Sequence, residues 1–214
     1  MKQVQEKTTV PTTSVAVMGE KKSGHSIISS RFLYGNESPK INIEEETFTK
    51  TLTLNGQEES VCLNVYFQEM GFIHQYCQKS NAFMLVFSLT SYSSFEQVKE
   101  FYECIQENAC TSHSPIVLVC CTSRSTIRRK LEELEKEECP SNKEIEEFSK
   151  ATGCPLYYVD ANSTIQVNNL FMDVVELKRQ HTPQVLKEKR KSIIRRTINI
   201  LKRKVSRQSL AYSH

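Results

Sequence analysis

The residues best suited to do chemistry in this chain form one short run, Gly19, Glu20, Lys21, Lys22, Ser23, Gly24, His25 and Ser26. The pattern G-x-x-x-x-G, then two residues of which the second is serine, is the spacing of a phosphate-cradling loop. Such a loop points backbone N–H groups at phosphates, places a lysine on the outer oxygens and sets a hydroxyl on Mg²⁺. Ser26 supplies the hydroxyl and is the candidate metal contact, whereas the lysine position holds His25. At a helix N-terminus the dipole favours neutral imidazole over imidazolium. His25 is therefore expected to hydrogen-bond the loop and fill the phosphate space, with direct ligand contact as the alternative. Lys21 and Lys22 read as solvated surface rather than as a replacement phosphate clamp. No Ser-His-Asp or Cys-His spacing stands out, and the isolated His74 and His113 read as structural. The eight cysteines contain no C-x-x-C pair. That argues against zinc and against a disulfide framework, and for reduced thiols in an intracellular protein.

The second chemical feature is charge. Between Lys187 and Arg207 ten cations stand against one acid, Glu188. The chain's net charge is +3, so a basic segment of +9 follows a body of −6. The cations that would meet an anionic partner are Lys187, Lys189, Arg190, Lys191, Arg195, Arg196, Lys202, Arg203 and Lys204, with Arg207 beyond them. Ile194, Ile198, Leu201 and Val205 recur at helical spacing among them, one apolar stripe flanked by positive charge. This suits an anionic membrane surface or a calmodulin-like groove. The basic clusters also allow nuclear import, and nucleic acid is the least favoured partner. Localisation is accordingly read as cytoplasmic, with the inner membrane surface or the nucleus as destinations the tail could specify. The chain ends without a cysteine and carries Lys2 after Met1, so neither prenylation nor myristoylation is expected.

These features must be positioned by ordered elements. Of the 214 residues, 38% are hydrophobic and 25% charged, ordinary for a globular chain with polar ends. No apolar run approaches about 18 residues, and the polar N-terminus does not read as a signal peptide. A short strand is expected over 14–18, leading into the loop, and a helix over 26–33. A hairpin follows, with alternating strands over 47–54 and 61–67 about the turn signal Asn55-Gly56. The continuous apolar runs 82–89 and 116–121 read as strands buried on both faces. An amphipathic helix is expected over 93–107 with Ser93 or Ser94 as its cap, and a solvated helix over 127–138. Ser141 and Glu144 fit a capping box for a helix ending at Gly153. A strand over 155–159 and a helix over 165–180 complete the pattern. Strands alternating with helices predict an α/β fold. Its six-stranded sheet should be mostly parallel and covered on both faces, with one antiparallel edge. The organisation expected is a flexible leader over 1–13, one domain over 14–180 and a basic tail or helix over 181–214.

In order and spacing, SVAVMGEKKSGHS, LTLNG, NAFMLVFSLTSYSSFEQVKEFYECI, SPIVLVCC and CPLYYVDANST resemble the Ras-like small GTPase superfamily over roughly residues 14–180. The resemblance implies a P-loop GTPase fold, signalling proteins as partners, and GTP or GDP with Mg²⁺ as ligand. It also identifies what is missing. The family's loop lysine corresponds to His25. Its first switch threonine should fall near Ile43, where the nearest threonine, Thr47, belongs to a strand. The D-x-x-G motif falls on Gln68 to Gly71, or one residue earlier on Phe67, keeping Gly71 alone with no glutamine after it. The guanine-reading N-K-x-D falls on Cys121 to Arg124, a base replacing the acid, and S-A-K falls on Ala161 to Ser163. The expectation is a pseudo-GTPase acting through protein contacts, with nucleotide binding weak or absent. The alternative is a divergent but working GTP-binding switch.

Overall fold

Val15, Ala16, Val17 and Met18 are almost wholly removed from water, and alternation sends them into two different cores. The structure is a computed structural model, and it describes residues 12–21, 23–36, 47–67, 73–108, 114–122 and 139–181. The elements are β1 (Thr12–Gly19), α1 (His25–Tyr34), β2 (Thr47–Leu54), β3 (Gln57–Phe67), α2 (Ile73–Lys79), β4 (Ala82–Ser88), α3 (Tyr92–Glu107), β5 (Ile116–Thr122), α4 (Asn142–Thr152), β6 (Leu156–Asp160) and α5 (164–181). Met1–Lys178 form one compact unit and Arg179–His214 a second, of which only 179–181 are described, as helix. Among the described residues no helix is long and apolar enough to cross a membrane.

Six strands form one sheet in the order β2-β3-β1-β4-β5-β6. All neighbours run parallel except the β2–β3 hairpin at one edge. This is the fold class expected from the alternation of strands and helices, and the reason is burial. β4 and β5 present unbroken apolar faces because helices cover both sides of the sheet. On one face Val15, Val17, Met84 and Val86 pack with Ile28 and Phe32 of α1 and Phe171 of α5. The Phe32 and Phe171 rings stack there, 3.7 Å apart. On the other face Ala16, Met18, Phe83 and Phe87 meet Phe95, Val98 and Phe101 of α3 and Ile145 of α4.

Local chemistry set most boundaries, and tertiary pairing moved a few. Asn55 and Gly56 both have positive φ, 53° and 76°, the geometry of a two-residue hairpin turn. So tight a turn lets β3 begin at Gln57, four residues before the expected strand. That extension in turn draws Thr12 and Thr13 into register with Ser60 and Val61. The leader therefore gives way to β1 at Thr12, and the buried Thr13 hydroxyl donates to Glu59 at 2.7 Å. The cap of α3 is Ser91, not Ser93 or Ser94. Its hydroxyl accepts from the Ser94 N–H at 3.2 Å, while the buried Ser94 hydroxyl donates to the Ser91 carbonyl and receives the Ser88 N–H. The capping box at Ser141 and Glu144 forms as expected, and Gly153 ends α4 in the left-handed conformation. Bonds from the Ser141 hydroxyl and N–H hold the Glu144 carboxyl below the usual carboxylate range. The short α2, with Ile73 and Cys77 buried one turn apart, has no counterpart in the sequence reading, because two turns carry too little periodicity. The helix expected over 127–138 lies outside the described residues.

Candidate functional site

The sheet delivers the loop. Gly19 ends β1 between Phe67 of β3 and Val86 of β4, at the carboxyl ends of three parallel strands. Crevices at such strand ends are where α/β sheets hold ligands. Five residues later Gly24 turns the chain into α1 with φ 100°, a conformation open to glycine and strained for other residues. A Cβ there would lie 2.5 Å from the Cys121 sulfur at the end of β5, so the loop is seated directly on that strand. Burial pushes the Cys121 thiol pKa well above its ordinary range, which leaves it a packing group rather than a nucleophile.

α1 begins at His25, one residue earlier than the periodicity indicates, and the side chain turns inward. His25 is 1% exposed. Its Nδ1 lies 3.0 Å from the Ser23 hydroxyl and its Nε2 lies 3.2 Å from the Ser26 hydroxyl. Burial lowers its pKa from 6.5 to about 4, against a smaller opposing effect of a hydrogen bond to the Glu20 backbone. At neutral pH the ring is therefore uncharged, as the dipole argument expects, and it sits inside the loop among hydroxyls. Ser23 is equally buried, and its hydroxyl lies within 3.4 Å of the His25 N–H. The Ser23 N–H donates to the Glu20 carbonyl at 2.9 Å. The Glu20 carboxylate turns outward and accepts from the Ser93 hydroxyl at 3.0 Å. Lys21 is exposed, while Lys22 lies outside the described residues.

At the far side of the same sheet edge, Ala161, Asn162 and Ser163 form the turn after β6. Asp160 organises this turn, accepting from the Asn162 N–H through Oδ1 and from the Ser163 N–H through its carbonyl. The Thr164 hydroxyl donates to Asn36 Oδ1 at 2.9 Å, and Arg31 donates to the same oxygen. This bridge between the end of α1 and the start of α5 joins residues 128 apart, so nothing local in the sequence announces it. Thr47 is the first residue of β2, as expected. Ile43, Gln68, Gly71, Arg124 and the tail cations Lys187 to Arg207 lie outside the described residues.

The donor set can be compared with what Mg²⁺ and a phosphate chain require. Mg²⁺ demands near-octahedral oxygen ligands. Among the described residues no group of three or more His, Cys, Asp or Glu side chains could hold a metal ion. The one retained ligand, the Ser26 hydroxyl, already faces His25. At the position of the family's lysine the loop offers a neutral ring, and its charged residues are Glu20, Lys21 and Lys22. Of the residues that the resemblance assigns to nucleotide and magnesium, the described ones are His25 and Ser26, which face each other.

Comparison with known proteins agrees with the fold. The family model described as Ras family matches residues 14–180. The chain is 28% identical to a "Ras-like protein" of Laccaria bicolor over 145 residues, 66% of this chain and 59% of that protein. It is 28% identical to the "GTP-binding protein GEM" of Mus musculus over 112 residues, 49% of this chain and 38% of that protein. It is also 28% identical to the "GTP-binding protein Di-Ras2" of Pongo abelii over 187 residues, 83% and 87% of the two chains. The chain thus spans less than two thirds of the length of the first two relatives.

Proposed function

The chain belongs to the Ras family, and from that premise we propose that it is a pseudo-GTPase, a signalling or scaffold protein that keeps the fold for protein contacts. The observation that supports this reading is His25. It stands where the family's phosphate-binding lysine would be, and it is buried, uncharged and hydrogen-bonded within the loop. Phosphoryl transfer depends on positioning and on stabilising charge at the phosphates. A neutral imidazole beside a glutamate supplies neither. The competing reading, a working switch, draws on the names of the relatives GEM and Di-Ras2, both called GTP-binding proteins. Full-length protein purified in Mg²⁺, denatured and assayed for released nucleotide separates the two. The expected result is no guanine nucleotide, and stoichiometric GDP would overturn the pseudo-GTPase reading.

The tail completes the proposal as the element that localises the protein, on the strength of its +9 charge and apolar stripe. Each basic residue near an anionic leaflet contributes about 1 kcal/mol, so ten are ample even if half are poorly placed. The full chain is expected to sediment with vesicles containing acidic lipid, less so at high salt, and less again with Ile198→Asp and Leu201→Asp together. Equal partition to neutral and acidic vesicles would refute the membrane assignment.

A further inference from the structure

A loop that cradles a phosphate must leave its interior open and its N–H groups unspent. Here both conditions fail, for reasons that lie within the chain. A Cβ on Gly19 would stand 2.4 Å from the Ser23 hydroxyl and 2.6 Å from the Val86 carbonyl, so Ser23 folds back directly over the glycine that ends β1. The Ser23 N–H is bonded to the Glu20 carbonyl, and the His25 N–H points at the Ser23 hydroxyl. Two amides that a phosphate would need are thus engaged internally. The imidazole of His25 occupies the space between the Ser23 and Ser26 hydroxyls with almost none of its surface exposed. On the outer side the Ser93 hydroxyl, from the first turn of α3, holds the Glu20 carboxylate across a separation of 73 residues.

We propose that the loop is held shut by its own side chains, with His25 as an internal plug and the Ser93–Glu20 hydrogen bond as an external latch. A phosphate-bearing ligand enters only by displacing both. The proposal rests on the pseudo-GTPase reading and deepens it: the site is closed as well as stripped of its charged contacts. The closed form needs no nucleotide to fold around, because the buried imidazole itself takes up the space between the Ser23 and Ser26 hydroxyls.

Thermal unfolding and amide exchange of the full chain test this with imidazole and inorganic pyrophosphate plus Mg²⁺ as probes. Wild-type Tm is expected to be unmoved by pyrophosphate. His25→Ala should lower Tm by roughly 5 °C; millimolar imidazole should restore part of that loss by refilling the hole, and pyrophosphate should now stabilise. Ser93→Ala, which keeps the plug and removes only the latch, should speed amide exchange over 19–26 several-fold, and it carries the test should His25→Ala not fold. Wild-type protein stabilised by pyrophosphate as strongly as the variant, no imidazole rescue in a folded His25→Ala, or unchanged exchange in Ser93→Ala would each overturn the closed loop. Bound GDP in the purified wild type overturns the functional reading instead. A nucleotide-free protein without imidazole rescue removes the plug and leaves that reading standing.

Discussion

Titrated with GTP or GDP in the presence of Mg²⁺, the wild-type protein is expected to bind neither more tightly than about micromolar. His25→Lys alone should recover only about one to two decades. The number of lost contacts sets this limit. On the correspondence expected from the sequence, four are gone: the loop lysine at His25, the switch threonine near Ile43, the D-x-x-G acid at Gln68 or Phe67, and the guanine-reading acid at Arg124. Each charge-assisted or metal-linked contact is worth about 1.5–3 kcal/mol, so their loss removes at most about 6–12 kcal/mol. Contacts that share one ligand add incompletely, which makes the sum an upper bound. At about 1.4 kcal/mol per decade, even picomolar binding would fall to micromolar or weaker. Lysine at position 25 restores one contact of the four, and it must also leave the buried space that the imidazole fills. With Arg124 in place of the carboxylate, no preference for guanine over adenine is expected either. Isothermal titration of both proteins with GTP, GDP and ATP checks this. Nanomolar guanine binding by His25→Lys, or a tenfold guanine preference in either protein, would place the missing contacts at residues other than those aligned.

Acidification should destabilise the fold through the same residue. His25 keeps its proton off in the folded state down to about pH 4, whereas an unfolded chain protonates near 6.5. Between those values the unfolded state holds the extra proton, so the stability that His25 contributes is complete above pH 6.5 and is lost as pH falls toward 4. The full difference of pKa corresponds to about 3 kcal/mol, of which about 2 kcal/mol is lost by pH 5. The Glu144 carboxyl, whose pKa is lowered from 4.5, loses its contribution only as pH falls through 4.5 and below, under the pH 7 to 5 range compared. Urea unfolding at pH 7 and pH 5 measures the loss, and His25→Gln, which cannot titrate, should abolish that part of it. A wild-type protein and a His25→Gln variant with the same slope between pH 7 and 5 would show that the histidine is not held neutral by burial.

What was legible in the sequence and what was not divides along a physical line. The runs of β4 and β5, the Asn55-Gly56 hairpin, the Ser141–Glu144 capping box and Gly153 at the end of α4 all obey rules that operate within a few residues. Apolar periodicity, left-handed φ and end-capping hydrogen bonds require no knowledge of the rest of the chain, and those elements appear where they are expected. Parallel order then follows from alternation, since each crossover must cover a sheet face. The position of the loop between β1 and α1 was likewise local, as was the replacement of its lysine by His25.

The state of that loop was decided by tertiary structure. Two glycines five apart fit an open cradle as well as a closed one. Which one exists depends on Cys121 pressing against Gly24 from the end of β5, on Val86 walling off Gly19, and on Ser93 reaching Glu20 from α3. The same long-range packing chose Ser91 over Ser93 and Ser94 as the cap, because Ser94 is buried and bonded to β4 while Ser93 faces the loop. It also set the charge of His25. An imidazole's pKa responds to how much water it loses, and that is fixed by neighbours brought in from distant parts of the chain. Residue type and spacing thus determined the fold and placed the candidate loop between β1 and α1, whereas burial, a property of the assembled sheet and helices, decided how that loop is packed and that its histidine is neutral.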